Sequence, residues 1–129
     1  MKNILKIIGI LLFCLASECS STFEFVDDSR LVIEGTLRHS NGTVASDKSV
    51  ILQSVENIYL ADVKSDSNGR FFITSPMANY PIILFVNNNE ILSVSQFPEK
   101  LKIVSNKKVL TDLTNSYYEF GSIEIKPMN

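Results

Sequence analysis

The chain has 129 residues, of which 45% are hydrophobic and 20% charged, and its formal net charge is −2 at pH 7. A sequence of this length is expected to hold at most one domain plus a leader. Lys107-Lys108 is the only adjacent basic pair. The sequence therefore predicts no nucleic-acid partner, because phosphate binding needs grouped Lys and Arg.

An apolar run covers residues 7–16, after the basic residues Lys2 and Lys6, and small and polar residues follow from Ser17. This order is typical of a secretory signal peptide, and the run is shorter than the ~20 apolar residues of a membrane span. We predict a signal peptide at residues 1–19 and a secreted, extracellular or periplasmic protein. A retained N-terminal anchor is the alternative.

Both cysteines, Cys14 and Cys19, lie in or beside this leader. The mature domain is therefore predicted to have no disulfide and to depend on packing for its stability. Cys19 follows the apolar run closely enough to suggest a bacterial lipid-attachment site, but Glu18 stands where such sites have a small residue. Membrane contact is expected only through an uncleaved leader or a lipid on Cys19.

The first part of the mature chain has the period of two that is typical of strands. Residues 20–30 are expected to be a flexible segment or a short strand. Residues 31–38 alternate, with Leu31, Ile33 and Gly35 on one side, and Gly35 indicates a bulge or a close backbone approach. A turn at 39–42 precedes a strand at 49–55, in which Val50 and Leu52 are buried together.

The centre of the chain is predicted to be a hairpin, with strands at 58–64 and 70–74 around a turn that ends in Asn68-Gly69. Asn and Gly tolerate the positive φ that hairpin turns require. Residues 82–86 are apolar on both faces, which favours a strand in the interior of a sheet.

The remaining residues predict a returning strand at 90–95, a pair at 101–105 and 109–113, and a last strand at 118–126. In that last strand Phe120 is expected to face away from Ile123 and Ile125. Short strands spaced 8 to 12 residues apart are typical of sandwiches and barrels. We predict an all-β fold, an antiparallel β-sandwich of about seven to nine strands over residues 31–126.

The order of turns and core positions resembles that of the carboxypeptidase-regulatory-like and transthyretin-like domains. The motifs are Ile33-Glu34-Gly35-Thr36-Leu37, Asn41-Gly42-Thr43-Val44-Ala45, Val50-Ile51-Leu52, Ser65-Asp66-Ser67-Asn68-Gly69-Arg70-Phe71 and Tyr118-Glu119-Phe120-Gly121-Ser122-Ile123. This resemblance implies a transthyretin (prealbumin)-like sandwich. Related hydroxyisourate hydrolases need two histidines, an arginine and a C-terminal Tyr-Arg-Gly-Ser. This chain has one histidine and ends Lys126-Pro127-Met128-Asn129, so that activity does not carry over.

Candidate chemistry is sparse. His39 is the only imidazole, and a general base or metal ligand needs partners. The loop at Asp66 is similar to oxygen-rich calcium loops, with Asp62 and Asp47 as further carboxylates, but it continues with Arg70 instead of another ligand. We predict no catalytic, cofactor-binding or metal-binding residue, and an enzyme would require His39, Asp62 and Asp66 to converge.

Modification and recognition have better candidates. Asn41 begins an N-glycosylation triplet, Asn41-Gly42-Thr43, on a predicted turn. Four aromatic residues are candidates for partner recognition, with core packing as the alternative: Tyr80, Phe97, Tyr117 and Tyr118.

The predicted function is that of an exported, non-catalytic module that binds a protein partner or has a structural role. Sheet edges could also pair two copies as a homodimer. The alternative is a carrier of a small apolar molecule, as in transthyretin, which would need a cavity lined by Phe and Ile.

Overall fold

The computed structural model describes residues 25–78, 81–96, 101–104, 107–110 and 116–129. They form nine strands: β1 (Phe25–His39), β2 (Ser49–Ser54), β3 (Tyr59–Lys64), β4 (Arg70–Ala78), β5 (Ile82–Val86), β6 (Asn89–Val94), β7 (Leu101–Val104), β8 (Lys107–Leu110) and β9 (Tyr117–Pro127). These residues contain no helix, and thus none long and apolar enough for a membrane span. The predicted leader at 1–19, with Cys14 and Cys19, lies outside the described residues.

The strands belong to one mixed sheet whose order is β3-β2-β5-β6-β9-β1-β4, with β8 paired to β5 and β7 paired to β8. The two ends of this order, β3 and β4, lie close together without forming a ladder, so the sheet is nearly closed. The all-β prediction is confirmed. The expectation of purely antiparallel pairing is wrong, because β1 and β9 run parallel. Alternation of apolar residues shows which face is buried, but not the direction of the neighbouring strand.

The core lies on the inner face of this sheet. β2 and β5 show it most clearly, since Val50 is opposite Val86, Leu52 is opposite Leu84, and all four are fully buried. Burying each such side chain stabilises the fold by about 1.5–3 kcal/mol. The predicted burial of Val50 with Leu52 is confirmed. The predicted interior position of β5 is also confirmed, because this strand pairs with β2 on one side and with β6 and β8 on the other.

The turn between β3 and β4 does not close the predicted hairpin ladder. Ser65, at its start, is held by the segment before β2, because its N–H donates to Lys48 O (2.9 Å) and its hydroxyl to Ala45 O (2.7 Å). Gly69, at its end, is held by β1, because Leu37 N–H donates to Gly69 O (2.7 Å). β3 therefore pairs with β2, and β4 pairs with β1. The turn carries the chain from one part of the sheet to the other.

A bulge in β9 changes the alternation expected for the last strand. Phe120 is buried on the same side as Ile123 and Ile125, and the register with β1 shifts between Glu119 and Ser122. Gly121, with a φ of 61°, lies at this irregularity. The extra residue brings Phe120 and Ile123 to one face, which strict alternation would have separated.

The close backbone approach expected at Gly35 is confirmed. A Cβ atom there would lie 3.0 Å from the Phe71 ring and 3.2 Å from Gly121 O. Only a residue without a side chain leaves room for Phe71 over β1. Gly35 of β1 therefore lies close to both β4 and β9.

Candidate interaction surface

The outward side of β4, β1 and β9 presents two rows of side chains. In one row Glu34 of β1 is opposite Phe72 of β4 and Glu119 of β9, and in the next row Val32 is opposite Thr74 and Tyr117. Alternate residues of a strand share a face, and their neighbours Ile33, Ile73 and Tyr118 are buried. We call this set the outer face: Val32, Glu34, Phe72, Thr74, Tyr117 and Glu119.

Two large aromatic side chains project from the outer face. Phe72 is 55% exposed and Tyr117 is 49% exposed. They lie on either side of β1 in neighbouring rows, separated by two strand spacings, about 10 Å, across the sheet and by two residues, about 7 Å, along it. Exposed aromatics on a sheet face are the kind of group that partners bury, because they carry a large apolar area with few rotatable bonds.

Tyr117 is held in place by Glu34. Its hydroxyl donates a hydrogen bond of 2.5 Å to Glu34 Oε1. This bond raises the pKa of Tyr117 to about 12, with smaller contributions from desolvation and from the charges of Glu34 and Glu119. The hydrogen bond gives the ring a preferred direction on the outer face.

A cleft of about 470 Å³ adjoins the outer face, and we call it the first cleft. It is formed by β1, β3, β4, β9 and the turn between β3 and β4. Its lining residues are Glu34, Gly35, Thr36, Val63, Lys64, Asp66, Asn68, Arg70, Phe71, Phe72, Glu119 and Gly121.

Two charged groups of the first cleft already have partners. Lys64 Nζ lies 3.2 Å from Asp47 Oδ1. Asp66 Oδ1 accepts the backbone N–H groups of Asn68 and Arg70, both at 2.9 Å. The Asp66 carboxylate therefore holds the turn together.

A second cleft of about 430 Å³ contains His39. It is lined by Arg38, His39, Ser40, Gly42, Ser93, Val94, Ser95, Ser122 and Glu124. His39 and Asp66 thus line different clefts, and Asp62 lies on β3, where it accepts the Tyr59 hydroxyl at 2.5 Å. The structure does not bring these three residues together, and the described residues contain no group of three His, Cys, Asp or Glu able to hold a metal.

The glycosylation candidate Asn41 is exposed in its turn, as expected. Its Oδ1 accepts the backbone N–H of Thr43 at 3.0 Å and the Thr43 hydroxyl at 2.6 Å. This is an Asx-type turn, which Asn favours because its side chain replaces a backbone acceptor.

The recognition aromatics separate into three cases. Tyr117 is exposed on the outer face. Tyr118 is only 7% exposed and belongs to the core, so its assignment to a recognition surface is wrong. The next residue along a strand must point to the opposite side. Tyr80 and Phe97 lie outside the described residues.

The sequence interpretation missed Phe72, Glu34 and Glu119 as parts of a surface. A signal was present at Phe71-Phe72, since two adjacent bulky residues in a strand cannot both point inward. The convergence of Glu34 with Glu119 depends on the parallel pairing of β1 with β9, which no local pattern shows.

No protein-family model matches the chain, and no curated protein matches it. Among solved structures, the chain is similar to a 9R-lipoxygenase from Cyanothece PCC8801, with a TM-score of 0.47 and 18% sequence identity. The match covers 92% of this chain and 20% of the lipoxygenase chain, so this chain spans about a fifth of that protein's length.

Proposed function

We propose that this chain is an exported, non-catalytic β-sandwich protein that binds another protein through its outer face. Export outside the cell or into the periplasm rests on the leader pattern of residues 1–19. The sandwich arrangement is supported by the join between β5 and β6, a single residue pair in which Val86 is opposite Asn89. That narrow join divides the sheet into two parts. One part contains β3, β2, β5, β8 and β7, and the other contains β6, β9, β1 and β4.

The observation that carries the binding function is the exposure of Phe72 and Tyr117 on one paired sheet face. Because each ring is already about half buried, covering its exposed part contributes roughly half of the 1.5–3 kcal/mol that full burial of such a side chain gives. The bond from Tyr117 to Glu34 orients the ring before binding, which lowers the entropy lost when a partner docks. The relation to carboxypeptidase-regulatory-like and transthyretin-like domains is part of the same proposal and is supported by the close approach at Gly35 and the turn at Asn68-Gly69.

The carrier alternative has less support. It needs an apolar cavity, whereas the first and second clefts are open and lined mainly by polar or charged residues. The inner face is filled by fully buried aliphatic side chains such as Leu31, Leu52 and Leu84.

The test is a comparative pull-down from the exported fraction of the host, with the purified protein immobilised. The double variant F72S/Y117S removes both aromatic side chains from the outer face. Y59S is the matched control, because Tyr59 is also exposed (62%) and also donates to a carboxylate, but lies on β3. A urea titration verifies that each variant remains folded, because Phe72 is about half buried and Y117S removes the bond to Glu34.

We expect wild type and Y59S to retain the same protein and F72S/Y117S to lose it. Retention of that protein by all three, or by F72S/Y117S but not Y59S, would contradict the assignment to the outer face. If wild type retains nothing at low or at physiological salt, the binding function itself is contradicted.

A further inference from the structure

Two carboxylates face each other on the outer face. Glu34 and Glu119 are direct neighbours across the parallel pair β1 and β9. Like charges directly opposite each other on neighbouring strands are destabilising. Among the side chains that the structure describes, the one ion pair is that of Lys64 with Asp47, so neither glutamate has a cationic partner there. Glu34 accepts only the neutral hydroxyl of Tyr117.

The first cleft keeps an excess of negative charge once its internal partners are taken into account. Lys64 is paired with Asp47, and Asp66 accepts two backbone N–H groups. Glu34, Glu119 and Arg70 remain as its other charged lining groups. Arg70 lies one row along from the glutamates, opposite Thr36. On the far side of the outer face, Arg30 donates to the Thr74 hydroxyl at 3.3 Å.

We infer that the partner presents an arginine or lysine side chain that enters the first cleft between Glu34 and Glu119, with Phe72 beside it. This rests on the proposed function and specifies the partner's chemistry. A cation between the two carboxylates replaces a repulsion by charge-assisted hydrogen bonds, which are about twice as strong as neutral ones. Phe72 lies in the same row, next to Glu34, and lines the same cleft, and an aromatic ring attracts a nearby guanidinium or ammonium group.

The cation also explains why an aromatic surface and a carboxylate pair occur together. The aromatic side chains supply apolar area, and the carboxylates select the partner by charge. A partner with an acidic side chain at this place would face two like charges in a partly desolvated site. The acidic net charge of the chain, −2, acts in the same direction during approach.

The experiment selects peptides from a phage-displayed random library on immobilised full-length wild type, on E34Q/E119Q and on F72S/Y117S. E34Q/E119Q removes two charges and their mutual repulsion while keeping side-chain size, and a urea titration verifies that it folds. The matched control is E56Q/E90Q, which removes two carboxylates outside the first cleft. Binding of individual selected peptides is measured by fluorescence anisotropy at low and high salt.

We expect peptides selected on wild type to be enriched in Arg or Lys, to bind E56Q/E90Q equally well, and to bind E34Q/E119Q at least about tenfold more weakly, which corresponds to losing one charged hydrogen bond. Peptides that need Phe72 and Tyr117 but show no basic enrichment would overturn this inference and leave the binding function standing. A library that yields no peptide specific for wild type over F72S/Y117S would contradict both.

A second copy of the chain is the competing occupant. Sedimentation of the protein alone distinguishes it. A monomer is expected, whereas a dimer that F72S/Y117S dissociates would show that the outer face binds another copy and would overturn the basic partner.

Discussion

Replacing Gly69 by alanine tests how the turn between β3 and β4 joins the two parts of the sheet. Gly69 has a φ of 75°, and a Cβ atom there would lie 2.5 Å from the backbone oxygen of Leu37. A non-glycine residue in this left-handed region costs about 1–2 kcal/mol. The clash also forces apart the bond from Leu37 N–H to Gly69 O, which is worth about 0.5–1.5 kcal/mol. We expect G69A to lower the free energy of unfolding by about 1.5–3.5 kcal/mol.

Gly42 supplies the matched control. Its φ of 83° is equally positive, but a Cβ atom there would meet nothing within 4 Å. G42A therefore has only the backbone cost of about 1–2 kcal/mol. The assay is urea unfolding followed by circular dichroism, with the m-value checked for constancy. Equal losses of stability in G69A and G42A would refute the packing of Gly69 against β1, and with it the separation of β3 from β4.

Two further predictions concern single side chains. Asn41 should deamidate faster than Asn68 at alkaline pH, by attack of the following glycine nitrogen on the side-chain carbonyl carbon with loss of ammonia. Both glycine N–H groups are hydrogen-bonded (2.8 and 2.9 Å), but the space around Gly42 is open, whereas Gly69 is buried. Deamidation is followed by peptide mapping with mass spectrometry, and equal rates at Asn41 and Asn68 would contradict this prediction. Tyr117 should ionise with a pKa of about 12, and E34Q should lower it in a spectrophotometric titration. Because the folded-state pKa lies above the ordinary value of about 10, the stabilisation that the Tyr117–Glu34 bond gives the fold is complete below pH 10 and is lost as the pH rises towards 12. An unchanged pKa of Tyr117 in E34Q would contradict the hydrogen bond.

The strands and much of the core could be predicted from alternation. Val50 and Leu52 are buried as their spacing indicates, and β5, apolar on both faces, lies inside the sheet. Turn chemistry was equally informative at Asn68-Gly69, where Gly69 has the positive φ that the dipeptide favours. These features depend on residues close in sequence, which is why local patterns reveal them.

Strand partners could not be predicted in the same way. β4 pairs with β1 and not with β3. This pairing includes the bond from Leu37 N–H to Gly69 O, which joins two residues far apart in the chain. The parallel pairing of β1 with β9 brings Glu34 beside Glu119, although most of the chain lies between them in sequence. Local periodicity carries no information on such contacts, so the outer face could not be recognised from sequence.

The bulge in β9 also shows that local alternation does not always determine which side of a strand is buried. Alternation required Tyr117 and Tyr118 to point in opposite directions, but it did not say which one is exposed. The bulge at Gly121 then reversed the pattern for Phe120 relative to Ile123. One inserted residue is enough to exchange the two faces of a strand.

Photo-crosslinking from the outer face in the native host tests the central claim most directly. A photoreactive phenylalanine analogue is placed at Phe72, and at Tyr59 as the control position on β3. The account predicts a covalent adduct with a second protein from position 72, weakened by E34Q/E119Q, and none from position 59. Adducts from position 59 alone, or equally from both positions, would contradict it.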